Sequence, residues 1–217
     1  MTTVKFHLIA STFAVLLAAL TMSAAFSTRL EAAPAQLEKV PLCSRTGYEI
    51  YEPPVFIQGE RIAIKAFERE EFKGCQKVFA FDDAGETDPF IFAVFLSSER
   101  IEASQRDAFA VFITETFRKG QDTNLTIMPE RTKGSFREFR FSVAVKGQSA
   151  MDGDISRMSF LDVEAGTLVV YSSGPLTVLE ALLKTEKGEE NAPSLPVRKA
   201  MYVKLWHNAN LELLNSQ

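Results

Sequence analysis

The chain opens with an uncharged, mostly apolar run, Leu8 to Leu20, and its later apolar residues fall into short runs of two kinds. Some have a period of two, or are apolar throughout, and predict strands; others recur every three or four residues and predict helices. Ile62–Phe67 is the first strand-like run, and Lys77–Phe81, with Phe79 and Phe81 on one face, is the second. Phe90–Leu96 is apolar throughout, which suits a central strand covered on both faces. Between the second and third runs, Asp82–Pro89 reads as a polar turn containing Gly85. A helix is expected next, capped by Ser104 with Asp107 three residues on and stopped by Gly120. Its stripe is Phe109, Phe112, Ile113, Thr116 and Phe117.

The second half repeats the alternation. Phe139, Phe141, Val143 and Val145 alternate with Arg140, Ser142 and Lys146, which marks one buried and one wetter face. Ile155–Val163 and Thr167–Tyr171 follow, divided by the Glu164-Ala165-Gly166 turn. Gly174-Pro175 opens a second helix with Leu176, Leu179, Leu182 and Leu183 inward and Gly188 at its end. A linker from Glu189 to Leu195 leads to Pro196 and a last helix reaching about Leu214.

The predicted order is βββα-βββα-α. Short connections between successive strands require antiparallel pairing. The expected fold is therefore α+β, a single antiparallel sheet of about six strands covered by two or three helices. Two strand triplets, with helices at Ser104–Lys119 and Pro175–Lys187, give residues 60–187 an arrangement that resembles the PsbP-like superfamily. That superfamily includes extrinsic photosystem subunits, a Ran-binding import factor family and bacterial envelope proteins similar to DcrB. The resemblance lies in element order, carries over no functional residue, and implies a protein that binds partners and does not catalyse a reaction.

The leading run sharpens this picture by supplying a compartment. Lys5 precedes about 13 apolar residues, roughly 20 Å of helix, which suits a signal sequence and is short for a bilayer core of about 30 Å. Ser23-Ala24-Ala25 offers a cleavage site after Ala25, with Ala35 as a second candidate. The expected organisation is a signal peptide at 1–25, a flexible lead-in at 26–40 and one domain at 41–217. Its localisation is periplasmic or secreted, with no stable membrane insertion once the signal is removed. Cleavage removes only Lys5 among the fixed charges, so 23 basic and 28 acidic side chains leave a net charge of −5. Such a chain gives no electrostatic reason to expect nucleic acid as a partner.

Export also changes how the two cysteines read. Cys43 and Cys75 are expected to form a disulfide closing a loop of about 33 residues, contributing roughly 3–4 kcal/mol in the chain-entropy model. Of the two histidines, His7 lies in the signal, leaving His207 on a polar stretch read as surface. No cofactor and no metal is expected, since a metal site needs more ligands than remain. The acidic turns at Asp82–Asp88 and Asp152–Asp154 lack calcium-loop spacing. Arg131, Lys133, Arg137 and Arg140 interleave with Phe136, Phe139 and Phe141 and read as a solvated sheet face.

The function expected from this is binding of another envelope protein in an assembly, accessory or immunity-type role. The alternatives are a small-ligand or lipid carrier, with an enclosed cavity lined by phenylalanine, or a carboxylate-dependent hydrolase. Tyr202 and Trp206, one turn apart on the last helix, with Arg198 beside them, are the candidate partner-binding residues; the competing reading is that they dock this helix onto the domain.

Overall fold

A computed structural model describes residues 37–217 apart from 54–55, 58–59, 62–63, 69–74, 84–85, 118–121, 147–152 and 189–192. The expected signal peptide and its cleavage site at Ala25 lie outside the described residues, as do the tips of both acidic turns. Glu38–Gln217 forms one compact unit. It begins with two ribbons, β1 (Lys39–Pro41) with β2 (Glu49–Tyr51), and β3 (Phe56–Ile57) with β4 (Glu60–Arg61). Next come β5 (Ile64–Phe67), β6 (Cys75–Asp83) and β7 (Glu86–Ser97), then helix α1 (Arg106–Phe117). Five strands follow: β8 (Thr123–Ile127), β9 (Arg131–Lys133), β10 (Phe136–Val145), β11 (Asp154–Val163) and β12 (Gly166–Pro175). The chain ends with α2 (Leu179–Glu186) and α3 (Leu195–Asn215).

The α+β class and the antiparallel pairing agree with the sequence pattern, while the strand number and the element order do not. The main sheet has eight strands, in the order β5-β6-β7-β12-β11-β10-β8, with β9 also paired to β10. The two halves meet where β7 pairs β12, from Thr167 opposite Ser97 to Ser173 opposite Ile91. The additional strands are β8 and β9, which share one edge of β10 in succession. An edge strand has no neighbour on its far side, so it needs no continuous apolar run to announce it. Ahead of the first strand-like run, residues 39–61 also hold the two ribbons.

Strand alternation sorts the core onto two faces. On one, Val78, Ala93, Phe95, Phe141, Met158, Phe160 and Val169 pack with Ala110 and Ile113 of α1. The cap of α1 sits earlier than expected: a 3-10 turn at Ala103–Gln105 precedes it, and Gln105 Oε1 accepts the Glu102 N–H at 2.9 Å. Ser104 lies inside that turn, so it does not cap.

On the other face, α3 lies across the sheet. This helix has 21 residues and spans about 31 Å. Tyr202, Trp206, Asn210 and Leu213 recur along its buried stripe. Trp206 is fully buried, with its ring 5.0 Å from Phe92 and 6.2 Å from Phe79. Its indole N–H donates to the Tyr51 carbonyl at 2.7 Å, and the Tyr51 N–H donates to Asn210 Oδ1 at 2.9 Å. The β1–β2 ribbon is thus hydrogen-bonded to α3, and the Cys43–Cys75 disulfide ties the same segment to the first residue of β6. The two Cα atoms are 5.2 Å apart and 32 positions apart in sequence. The disulfide read from the sequence is therefore present.

Candidate functional site

α2 and α3 do not close completely over the end of the sheet. β12 ends at Pro175, and a 3-10 turn at Leu176–Val178 swings the chain into α2, which lies beside α3. The gap between them is a groove of about 220 Å³. Phe90, Leu179, Leu182 and Val203 make apolar walls, and Gly174 lies where any β-carbon would collide with the Phe90 ring. Leu183, expected inward, stands on the lip and is 47% exposed. Arg140, Arg157 and Lys204 line the groove as well, together with Glu186, which pairs with Lys204.

Behind the groove lies a polar network that spans four elements. Glu138 is buried, and it accepts from Arg157 Nε at 2.6 Å and from Arg140 Nε at 3.0 Å. Arg157 Nη1 and Lys133 Nζ both donate to Asn208 Oδ1 at 2.8 Å, so β9, β10, β11 and α3 converge here. Burial alone would raise the Glu138 pKa, but the adjoining Arg157 and Arg140 guanidiniums outweigh it and hold the carboxyl below its usual range. Lys133 is pushed down, first by burial and then by the Arg157 charge.

His207 lies behind the same network and corrects the surface reading. It is fully buried: Nδ1 is 2.8 Å from Ser172 Oγ, and Nε2 is 3.0 Å from Ser159 Oγ. Burial, then the charges of Arg157, Lys133 and Arg140, push its pKa well below 6.5. The ring is therefore neutral at pH 7, donating to one serine and accepting from the other. The signal was present in the sequence: Val203, Trp206, His207 and Asn210 share one helical face, all buried, which the polar local composition obscured.

Ser172 also lines the groove, so its contact with His207 invites comparison with a serine hydrolase. The electrostatics oppose it. A general base must become an imidazolium in the transition state, and the charges facing His207 disfavour that form. In serine hydrolases the nucleophilic serine faces Nε2 and a carboxylate faces Nδ1, whereas here Ser172 faces Nδ1 and a second serine, Ser159, faces Nε2. The backbone around Ser172 is committed to its strand neighbours on both sides, Arg157 and Phe92. The arrangement does not match that of a serine hydrolase.

The other residues singled out by sequence fall as follows. Tyr202 and Trp206 are buried, not displayed: their rings meet Phe81, Phe92 and Phe79 and dock α3 on the sheet. A side chain sealed under its own helix offers no surface to a partner. Burial also raises the Tyr202 pKa. Arg198 is half-buried on α3. Along β9 and β10, Phe136, Phe139 and Phe141 are buried while Arg131, Lys133, Arg137 and Arg140 are exposed, although Phe136 shares a sheet face with Arg140 and Arg137 shares one with Phe139. Among the described residues no cluster of His, Cys, Asp or Glu is arranged to hold a metal, and no helix is long and apolar enough to cross a membrane. The groove itself was missed, because it is assembled from β7, β10, β11, β12 and two helices.

No protein family matches the chain, and no curated protein does. Among solved structures it is similar to the Saccharomyces cerevisiae Ran-binding protein Mog1p, at 15% identity and a TM-score of 0.45, over 82% of this chain and 93% of that one. It is also similar to cyanobacterial PsbP from Synechocystis, at 14% identity and a TM-score of 0.42, over 70% of this chain and 88% of that one.

Proposed function

We propose that this chain is an exported, non-enzymatic envelope protein that binds a protein partner through the groove between α2 and α3. The observation that carries this reading is the groove itself: apolar walls, an exposed leucine on the lip, and cationic side chains along one side. Its volume of about 220 Å³ takes one or two bulky side chains of a partner. Small-molecule pockets are usually larger, roughly 300–1,000 Å³, and a carrier cavity would be enclosed. The Cys43–Cys75 disulfide supports an oxidising compartment.

Photo-crosslinking tests the reading. A photoreactive residue replaces Leu183 in one preparation of the mature protein and Asp122, exposed just before β8, in another. Illumination in an extract of the native extracytoplasmic fraction should join position 183 to one defined protein, with the control position joined to none. The same band from both positions, or recovery only of lipid at position 183, would contradict partner binding at the groove.

A further inference from the structure

Resting on that reading, we propose that the groove's occupant is a peptide segment carrying a carboxylate beside a bulky apolar side chain, and that Arg140 receives the carboxylate. Of the cations lining the groove, two are already engaged. Lys204 pairs with Glu186 at 2.5 Å. Arg157 uses Nε and Nη2 on Glu138 and Nη1 on Asn208, and only 15% of its side chain is exposed. Arg140 differs. It contacts Glu138 through Nε alone, and among the described residues its terminal nitrogens have no partner. Its side chain is 46% exposed.

One carboxylate between two guanidiniums leaves a unit of positive charge beside apolar walls, in a chain whose net charge is −4. A second carboxylate completes the arrangement. Glu138 acts as the positioning residue: by holding Nε it fixes the guanidinium plane, so the two terminal nitrogens stay available for a forked contact. The apolar side chain next to that carboxylate then enters between Leu179, Leu182 and Val203. A carboxylate of this kind comes either from an acidic side chain or from a chain terminus.

Three short peptides test the proposal by titration into the isotopically labelled mature protein, followed by amide NMR shifts. N-acetyl-leucyl-leucine carries a terminal carboxylate, N-acetyl-leucyl-aspartyl-leucinamide a side-chain carboxylate, and N-acetyl-leucyl-leucinamide none. Shifts should be confined to the groove, in the adjoining parts of β10, β11 and β12, in α2 and in the facing turns of α3. At least one acidic peptide should bind roughly tenfold more tightly than the neutral one, and the stronger of the two identifies the source of the carboxylate. Added salt should reduce the preference. In Arg140→Gln, checked for an unchanged unfolding midpoint, the preference should disappear while the neutral peptide binds as before. Equal affinity for all three overturns the carboxylate proposal and leaves the crosslink at position 183 to judge partner binding separately. Shifts away from the groove, or none with any peptide, also overturn it.

Discussion

The two faces of the sheet are built from the same strands and carry different chemistry. Under α1 the contacts are largely apolar and aromatic: Phe117 stacks on Tyr171 at 5.3 Å, and Phe139 meets Phe160 edge-on at 5.8 Å. Under α3 the contacts change along the helix. Its middle sits on Phe79, Phe81 and Phe92 through Trp206 and Tyr202, and beside them His207, Asn208 and the Glu138–Arg157 pair form a polar layer. A largely apolar face specifies the fold and little else. The mixed face sets the fold and also orients charged groups beside a groove, at the electrostatic cost of burying them.

Trp206→Ala should show how much of the fold rests on the mixed face. Removing a fully buried indole is expected to cost about 3–5 kcal/mol in denaturant unfolding of the mature protein. A loss under about 1 kcal/mol would mean that α3 is held mainly by other contacts. Replacing Cys43 and Cys75 together by serine should cost roughly 3 kcal/mol, since the closed loop no longer restricts the unfolded chain. If stability is unchanged by the double substitution, the hydrogen bonds of Tyr51 to α3 suffice to hold the ribbon.

Smaller effects probe the polar layer. Glu138→Gln leaves the mostly buried Arg157 without its counter-charge and should cost about 2–3 kcal/mol; the half-exposed Arg140 adds little to that figure. A neutral outcome would show that solvent already screens the pair. His207 predicts a pH dependence. Its folded-state pKa lies below the ordinary 6.5, so the unfolded chain takes up a proton first as the solution is acidified. Its contribution to stability is complete above pH 6.5 and declines as pH falls from there toward the folded-state pKa. The lowered pKa of Glu138 acts later, below its ordinary 4.5. Unfolding midpoints between pH 6.5 and about 5 should therefore fall with pH, and His207→Asn should flatten that slope. The same slope in the variant would assign the effect to another group.

The parts legible in the sequence were those in which local pattern and tertiary burial coincide. The alternation of Phe139, Phe141 and Val143 with Arg140 and Ser142 gave β10 its orientation, and the continuous Phe90–Leu96 run marked a strand covered on both faces. The Glu164-Ala165-Gly166 turn is there too, with Gly166 at φ +134° and the Ser97 carbonyl too close to admit a side chain. β8 and β9 were not legible, because Thr123–Ile127 is mostly polar and Arg131–Lys133 entirely so. His207 was misread for the opposite reason: its neighbours in sequence are polar, and its neighbours in space are serines from two strands. A site assembled by strand order leaves no local signature.

The most direct test sets one exposed apolar residue beside the groove against one on the other face. Leu183 on α2 is 47% exposed and Val111 on α1 is 42% exposed. Leu183→Glu and Val111→Glu should each unfold within about 0.5 kcal/mol of the parent protein, as surface substitutions do. Binding of N-acetyl-leucyl-leucine and N-acetyl-leucyl-aspartyl-leucinamide should weaken roughly tenfold in Leu183→Glu and stay unchanged in Val111→Glu. Unchanged affinity in Leu183→Glu, or a loss confined to Val111→Glu, would contradict the assignment of binding to the mixed face.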